Sequence, residues 1–443
     1  MAIVSLPVSA GDTALATQYN NSRLDAIRAG RTFVVAPSGG DYATIALAMA
    51  AASEGDTIYV KSGTYSSVGA ITCKSGVTLI GENKTNTILD GVMLDIVGTF
   101  RGNSGTITLT NADATVTGDA SQFSTDSVAA GDILCVPSLG LTIEVSSVTN
   151  ETALELVSPF EGETIATLSY YIINAHKNIL IENFTFQDDN STLGVIELEN
   201  CTNITIRNNI FDPTGASSDD FVQSNTESSN ILIENNLIKN GQYGADFTSN
   251  DFNISFINNT VINCNRGFSA GGTSSNVIVS NNIINGCDIG IYTIGTAIVS
   301  NNIINGSDGQ GILVGGNSNV ISGNIVLKSG SRGMDLSGVS DSSIINNIVK
   351  ESKLEGIHLS TCNQNVISGN VCNDNTTEGI ELTTCDNNIL TSNQCNNNSG
   401  TGILIDNAAA DKNVVGNNIA LNNTTANFTD NGTSTSSSNN ITA

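Results

Sequence analysis

From residue 178 onward the chain alternates apolar and polar positions in runs too short for helices, and the same runs return at a nearly constant interval. One kind opens at asparagine, as in Asn178-Ile-Leu-Ile, Asn203-Ile-Thr-Ile, Asn230-Ile-Leu-Ile, Asn276-Val-Ile-Val and Asn365-Val-Ile-Ser. A second opens at glycine: Gly290-Ile-Tyr-Thr, Gly311-Ile-Leu-Val, Gly333-Met-Asp-Leu, Gly356-Ile-His-Leu, Gly379-Ile-Glu-Leu and Gly402-Ile-Leu-Ile. Both are period-two patterns and predict short β-strands. Between them an asparagine recurs at Asn183, Asn208, Asn235, Asn258, Asn281, Asn301, Asn324, Asn347, Asn370, Asn393 and Asn418, mostly in steps of 23 residues.

A unit of that length cannot bury its own apolar face and must stack on its neighbours. Strands joined by tight turns within one coil cannot pair with each other, so each must pair in parallel with its equivalent in the coils above and below. The pattern therefore predicts an all-β parallel β-helix over residues 173–443, with a polar cover for the last coil from Asn422 on. Leucine-rich repeats share the period but need leucines where this chain has Ile, Val and Asn. All eleven asparagines are expected in one turn column, where Asn tolerates the left-handed conformation and its amide can bond to the equivalent amide one coil away.

Other segments do not follow the period. Residues 12–29 read as an amphipathic helix ended by Gly30, within an attachment segment over 1–30. Residues 31–100 read as a strand, a cap helix with Ile45, Met49 and Ala52 on one face, and the first coils, the helix covering the exposed end of the solenoid. From 101 to 172 the rhythm breaks into longer alternating strands such as Ile143-Glu-Val-Ser-Ser-Val, which predicts an inserted small antiparallel β domain.

Sixteen basic residues against 42 acidic ones leave a formal charge of −26, which argues against nucleic acid as a partner, since phosphate binding needs a positive surface. No apolar run reaches the ~18 residues of a membrane span, and the N-terminus has no basic residue ahead of its short apolar stretch, so neither a span nor a signal peptide is expected. Cys264 and Cys287, Cys362 and Cys385, and Cys372 and Cys395 are each 23 apart. Thiols stacked in one column point in nearly parallel directions, which suits free buried cysteines better than the ~90° torsion of a disulfide.

Thr32-Phe-Val-Val-Ala-Pro-Ser-Gly-Gly-Asp-Tyr-Ala-Thr-Ile followed by Gly55-Asp-Thr-Ile-Tyr-Val-Lys-Ser-Gly-Thr-Tyr65 resembles the N-terminal cap and first coil of right-handed parallel β-helix proteins of the pectin-lyase superfamily. The Asn-Ile-x-Ile-x-Asn-Asn repeat resembles their generic coil. This resemblance implies a right-handed, single-stranded β-helix and leaves function open, because the fold hosts lyases, hydrolases, epimerases and adhesins. Two further segments are similar to bacteriophage tail proteins: the stretch from Gly105-Thr-Ile-Thr-Leu-Thr to Leu156 resembles a small β module of tail appendages, and Ala10-Gly-Asp-Thr-Ala-Leu-Ala-Thr-Gln-Tyr-Asn20 the start of tailspike chains. The resemblance implies a virion tail or appendage protein assembled in the host cytoplasm. It also implies a homotrimer, contacts with tail or baseplate proteins through the N-terminus, and cell-surface polysaccharide as ligand.

Enzymes of this fold carry their acids on the outer surface. With Ile357 and Leu359 inward, His358 points outward, Asp335 and Glu381 hold the same place one coil back and one forward, and Tyr292 and Asp246 lie further back. A carboxylate–imidazole–carboxylate column spaced ~4.8 Å apart has the groups for acid–base work on a glycosidic bond; the competing reading is a solvated ladder. Asp188, Asp189, Asp219, Asp220 and Tyr292 are candidate substrate-binding residues, and Glu197 with Glu199 form another acidic pair. The paired aspartates of pectin methylesterases and the Asp-Pro-His-Asp signature of mannuronan epimerases are not found. No cofactor is expected; structural calcium stays open, although the calcium-binding nonapeptide of secreted β-rolls is missing. Two other readings remain beside the polysaccharide-binding appendage: a polysaccharide lyase, hydrolase or epimerase, and a purely structural or carrier β-helix.

Overall fold

A computed structural model describes residues 30–67, 69–187, 195–213 and 220–442. The expected helix over 12–29 lies outside these residues. The described chain forms two compact units, one comprising the residues up to 213 with 224–237, the other 220–223 with 238–442. Both are built from coils of a right-handed parallel β-solenoid.

In the first unit one sheet runs through Thr32–Val35, Thr57–Val60, Thr78–Gly81, His176–Glu182, Cys201–Arg207 and Ser229–Glu234, each strand parallel to the next. The helix is Ile45–Ala51, capped by the Thr44 side chain, which accepts from the Leu47 N–H, and it buries Ile45, Ala48 and Met49. Phe186 stacks on Phe211 at 4.8 Å, one coil on another.

An eight-stranded antiparallel sheet is inserted between two coils. It opens with Thr99–Gly102, closes with Tyr171–Asn174, and encloses its own core, including Leu109, Val116, Phe123, Leu134, Val145 and Leu154. Its first and last strands pair with each other, and a Cβ on Gly98 would lie 2.5 Å from the Asn174 carbonyl oxygen, so the chain leaves and rejoins the solenoid at one point. Leu180 therefore still pairs with Thr78 as if nothing intervened. Asp132 anchors the junction, bound by Arg101 Nε at 3.2 Å and Asn174 Nδ2 at 2.7 Å, and Lys177 meets Glu144 at 2.6 Å.

In the second unit three parallel sheets advance coil by coil, represented by Ser343–Ile345, Ile348–Lys350 and Ile357–Ser360. The strand-opening glycines stack without room for a side chain: a Cβ on Gly356 would sit 2.6 Å from the Gly379 carbonyl oxygen, and one on Gly379 2.5 Å from that of Gly402.

The eleven asparagines do not share one column. Asn183, Asn208 and Asn235 in the first unit and Asn258, Asn281 and Asn301 in the second take positive φ, the latter three in a column continued by Gly323, Asn346 and Gly369. Asn324, Asn347, Asn370, Asn393 and Asn418 occupy the next position of the same turn, where they are buried and bonded amide to amide at 3.0 Å. The ladder in this second column includes Asn282 and Asn302. The turn thus divides between adjacent residues the two jobs that the sequence suggested for one. The coil from Asn302 to Asn324 is only 22 residues long, so counting 23 from Asn301 crosses from the first column to the second.

All nine cysteines are buried and free. Where they stack they bond along the column, the Cys362 N–H donating to Cys385 Sγ at 3.2 Å. Burial pushes the Cys73 thiol up to about 12.

Candidate functional site on the outer face of the third sheet

In the second unit the glycine-led strands present two neighbouring outward columns. One is the residue just before each glycine: Arg332, Glu355 and Glu378 in successive coils. The other lies three residues on: Asp335, His358 and Glu381, in register with one another. On either side of His358, Ile357 and Leu359 are fully buried in the core.

The six side chains interlock. Asp335 Oδ1 lies 2.9 Å from His358 Nδ1, and its Oδ2 accepts from Arg332 at 3.2 Å. Arg332 Nε donates to Glu355 at 2.7 Å. His358 Nε2 faces Glu381 at 4.0 Å. Carboxylate oxygens of Glu355, Glu378 and Glu381 lie within 4.8 Å of one another. Burial would push the Asp335 carboxyl up, but the hydrogen bond from His358 and the Arg332 charge outweigh it and hold Asp335 below the usual carboxylate range. Glu381 goes the other way: burial, helped by repulsion from Glu355, Glu378 and Asp406, raises it against the pull of His358.

An ionised Asp335 accepts from Nδ1–H, which leaves Nε2 as the nitrogen facing Glu381. Asp335 and His358 are more buried than the solvated ladder would leave them. His358 points away from the core yet is only 7% exposed, flanked in its own column by Asp335 and Glu381. The pre-glycine column was missed in the sequence, although its signal is plain: an ionisable residue precedes Gly333, Gly356 and Gly379 in turn.

Further back on the same sheet, Asp220, Tyr243 and Arg266 follow one another in parallel bridges, and Asp246, Ser269 and Tyr292 stand in register in the adjacent column. The Arg266 guanidinium lies 5.3 Å from the Tyr243 ring centre and 4.4 Å from that of Tyr292, and donates to Ser269 at 3.2 Å. Burial raises the Asp246 carboxyl, Ser269 and Arg266 opposing it. Leu313 separates Tyr292 from Asp335 in the column. The structure thus brings Asp220 and Tyr292 onto the face that carries His358, while Asp188, Asp189 and Asp219 lie outside the described residues. In the first unit Glu197 stacks on Asp95, one coil back; burial raises both carboxyls, and Glu199 adds repulsion on Glu197.

The family described as right handed beta helix region matches residues 171–319 and 289–442, the same residues whose strands wind and stack as above. The chain belongs to this right-handed β-helix family. No curated protein matches its sequence. Solved β-helix structures similar to it include the catalytic unit of a thermostable GH87 α-1,3-glucanase from Streptomyces thermodiastaticus strain HF3-3, at 10% identity over 89% of this chain and 64% of that one, TM-score 0.50. The mannuronan C-5 epimerase AlgE6 A-module of Azotobacter vinelandii aligns at 13% identity over 89% and 92%, TM-score 0.41. Tailspike protein 3 of bacteriophage CBA120 aligns at 13% over 91% and 58%, TM-score 0.44. At such identities the likeness is one of fold, and the chemistry has to be argued from the β-helix face itself.

Proposed function

We propose that this protein is a polysaccharide-binding β-helix of the tailspike kind, a virion appendage whose third sheet meets the glycan with its outer face. The observation that carries the binding reading is the group formed by Tyr243, Arg266 and Tyr292. Two half-buried aromatic rings held by one guanidinium give flat apolar faces beside hydrogen-bond donors, with Asp220 and Asp246 close by as acceptors. That combination suits sugar rings, which are apolar on their faces and rimmed with hydroxyls. The tail-protein resemblances of residues 10–20 and 105–156 support the appendage reading, with the N-terminal segment as attachment to tail or baseplate proteins and a trimer as the assembly.

The test is calorimetric titration of the full chain with purified surface polysaccharide of a host that the virion infects. Arg266→Ala with Tyr292→Ala should weaken binding tenfold or more while leaving the melting temperature within a few degrees. Unchanged affinity would sink the binding face, and absence of the chain from purified virions by mass spectrometry would sink the appendage reading.

One observation favours a second, enzymatic reading. An imidazole oriented by Asp335 and facing a carboxyl of raised pKa is an acid–base arrangement. Release of reducing ends or unsaturated uronides from the same polysaccharide, lost in His358→Gln, would establish it.

A further inference from the structure

On the outer face of the first sheet, in the second unit, Ile278, Ile298, Val320, Val366, Ile389 and Val414 stand in one column, interrupted only by Ser343. Each of the six is between 37% and 46% exposed. Across the asparagine turn a second column begins with Ile283 and Ile303 and continues in register through Ile325, Ile348 and Val371. In each of the seven coils the six residues from one column to the other include no Asp, Glu, Lys, Arg or His. Seven coils at ~4.8 Å make a stripe roughly 30 Å long. A soluble protein rarely leaves so long an apolar stripe uncovered unless it binds something.

We propose that this stripe is the surface on which a second copy of the same chain docks. Charge decides the occupant. Two chains of formal charge −26 can meet without opposing carboxylates only where both are uncharged, and this corner meets that condition over its whole length. The residues suit close packing: Ile, Val, Ser, Asn and Gly lose little side-chain freedom when covered. A face this long and six residues wide offers on the order of 600–800 Å² per copy, close to the ~800 Å² per partner of a stable interface. An identical chain also brings the identical coil repeat, so stripe can lie on stripe in register under a symmetry axis. The surface spans the turn between the first and second sheets, so the inference stands apart from the glycan reading of the third and rests only on the assembly reading, whose contact face it names.

Sedimentation velocity of the full chain between about 0.1 and 50 μM tests it. The native chain should sediment as an oligomer, and the double variant Ile298→Lys, Ile389→Lys should be monomeric with an unchanged far-UV spectrum. A native monomer at 50 μM overturns the proposal. An oligomer that survives both lysines overturns the stripe while sparing assembly through another surface. Should the double variant fail to fold, Ser343→Cys decides: all nine native thiols are buried, so a short bis-maleimide should trap a covalent dimer through the new thiol, and a chain that stays uncrosslinked refutes the docking.

Discussion

Replacing Asn347 by leucine tests the amide ladder at its centre. The Asn347 side chain is fully buried and makes four bonds: its oxygen accepts from the Asn324 N–H and Nδ2, each at 3.0 Å, and its Nδ2 donates to the Ile321 carbonyl at 2.9 Å and to Asn370 Oδ1 at 3.0 Å. Asn370 Oδ1 keeps the Asn347 N–H as a donor, so leucine strands three buried groups: two donors on Asn324 and one carbonyl. At about 1–3 kcal/mol each, less about 2 kcal/mol gained by burying an apolar side chain, the net loss is roughly 1–7 kcal/mol. Asn346→Gly is the control. Asn346 has φ +56°, and glycine already fills its column at Gly323 and Gly369, so that change should cost under about 0.5 kcal/mol. Differential scanning calorimetry of the three proteins reads both, with hydrogen exchange at the Asn324 amide as the local probe. Equal losses at 346 and 347, or no loss at 347, would refute the division of labour between the two columns.

Joining Gly98 directly to Asn174 should remove the antiparallel insert and leave a folded, soluble solenoid, because the flanking coils already pair through Leu180 and Thr78; an insoluble product would show that the insert completes the core. Asp335 has a depressed folded pKa, so its stabilisation is present above the unfolded carboxylate value of about 3.9 and fades as pH falls through the folded value. Asp335→Asn should accordingly lower the melting temperature at pH 7 and not near pH 2. Glu381 is raised, so its ionisation opposes folding at neutral pH, and Glu381→Gln should raise the melting temperature at pH 7 with no gain near pH 3; destabilisation at pH 7 would contradict that sign. The nine thiols, all of them buried, should not react with an aromatic disulfide reagent until denaturant is added, and rapid labelling of even one would point to an open coil.

What the sequence by itself determined is whatever repeats. Strand alternation and a nearly constant coil length require parallel stacking, since a unit this small has no other way to bury its apolar face. The same periodicity places Cys362 beside Cys385 and Asp335, His358 and Glu381 in one column. Tertiary structure decided what depends on a single-residue shift or on neighbours across the sheet. Asn occurs in adjacent pairs such as Asn346-Asn347, so periodicity could not tell the left-handed position from the amide ladder. Only the coil of 22 residues before Asn324 reveals the slip. Nor does an outward direction specify exposure: His358 is only 7% exposed, with Asp335 bonded to it at 2.9 Å and Glu381 4.0 Å away. Which side chains of two columns reach each other depends on strand spacing and on the lengths of arginine and glutamate, and those become contacts only when the coils are stacked.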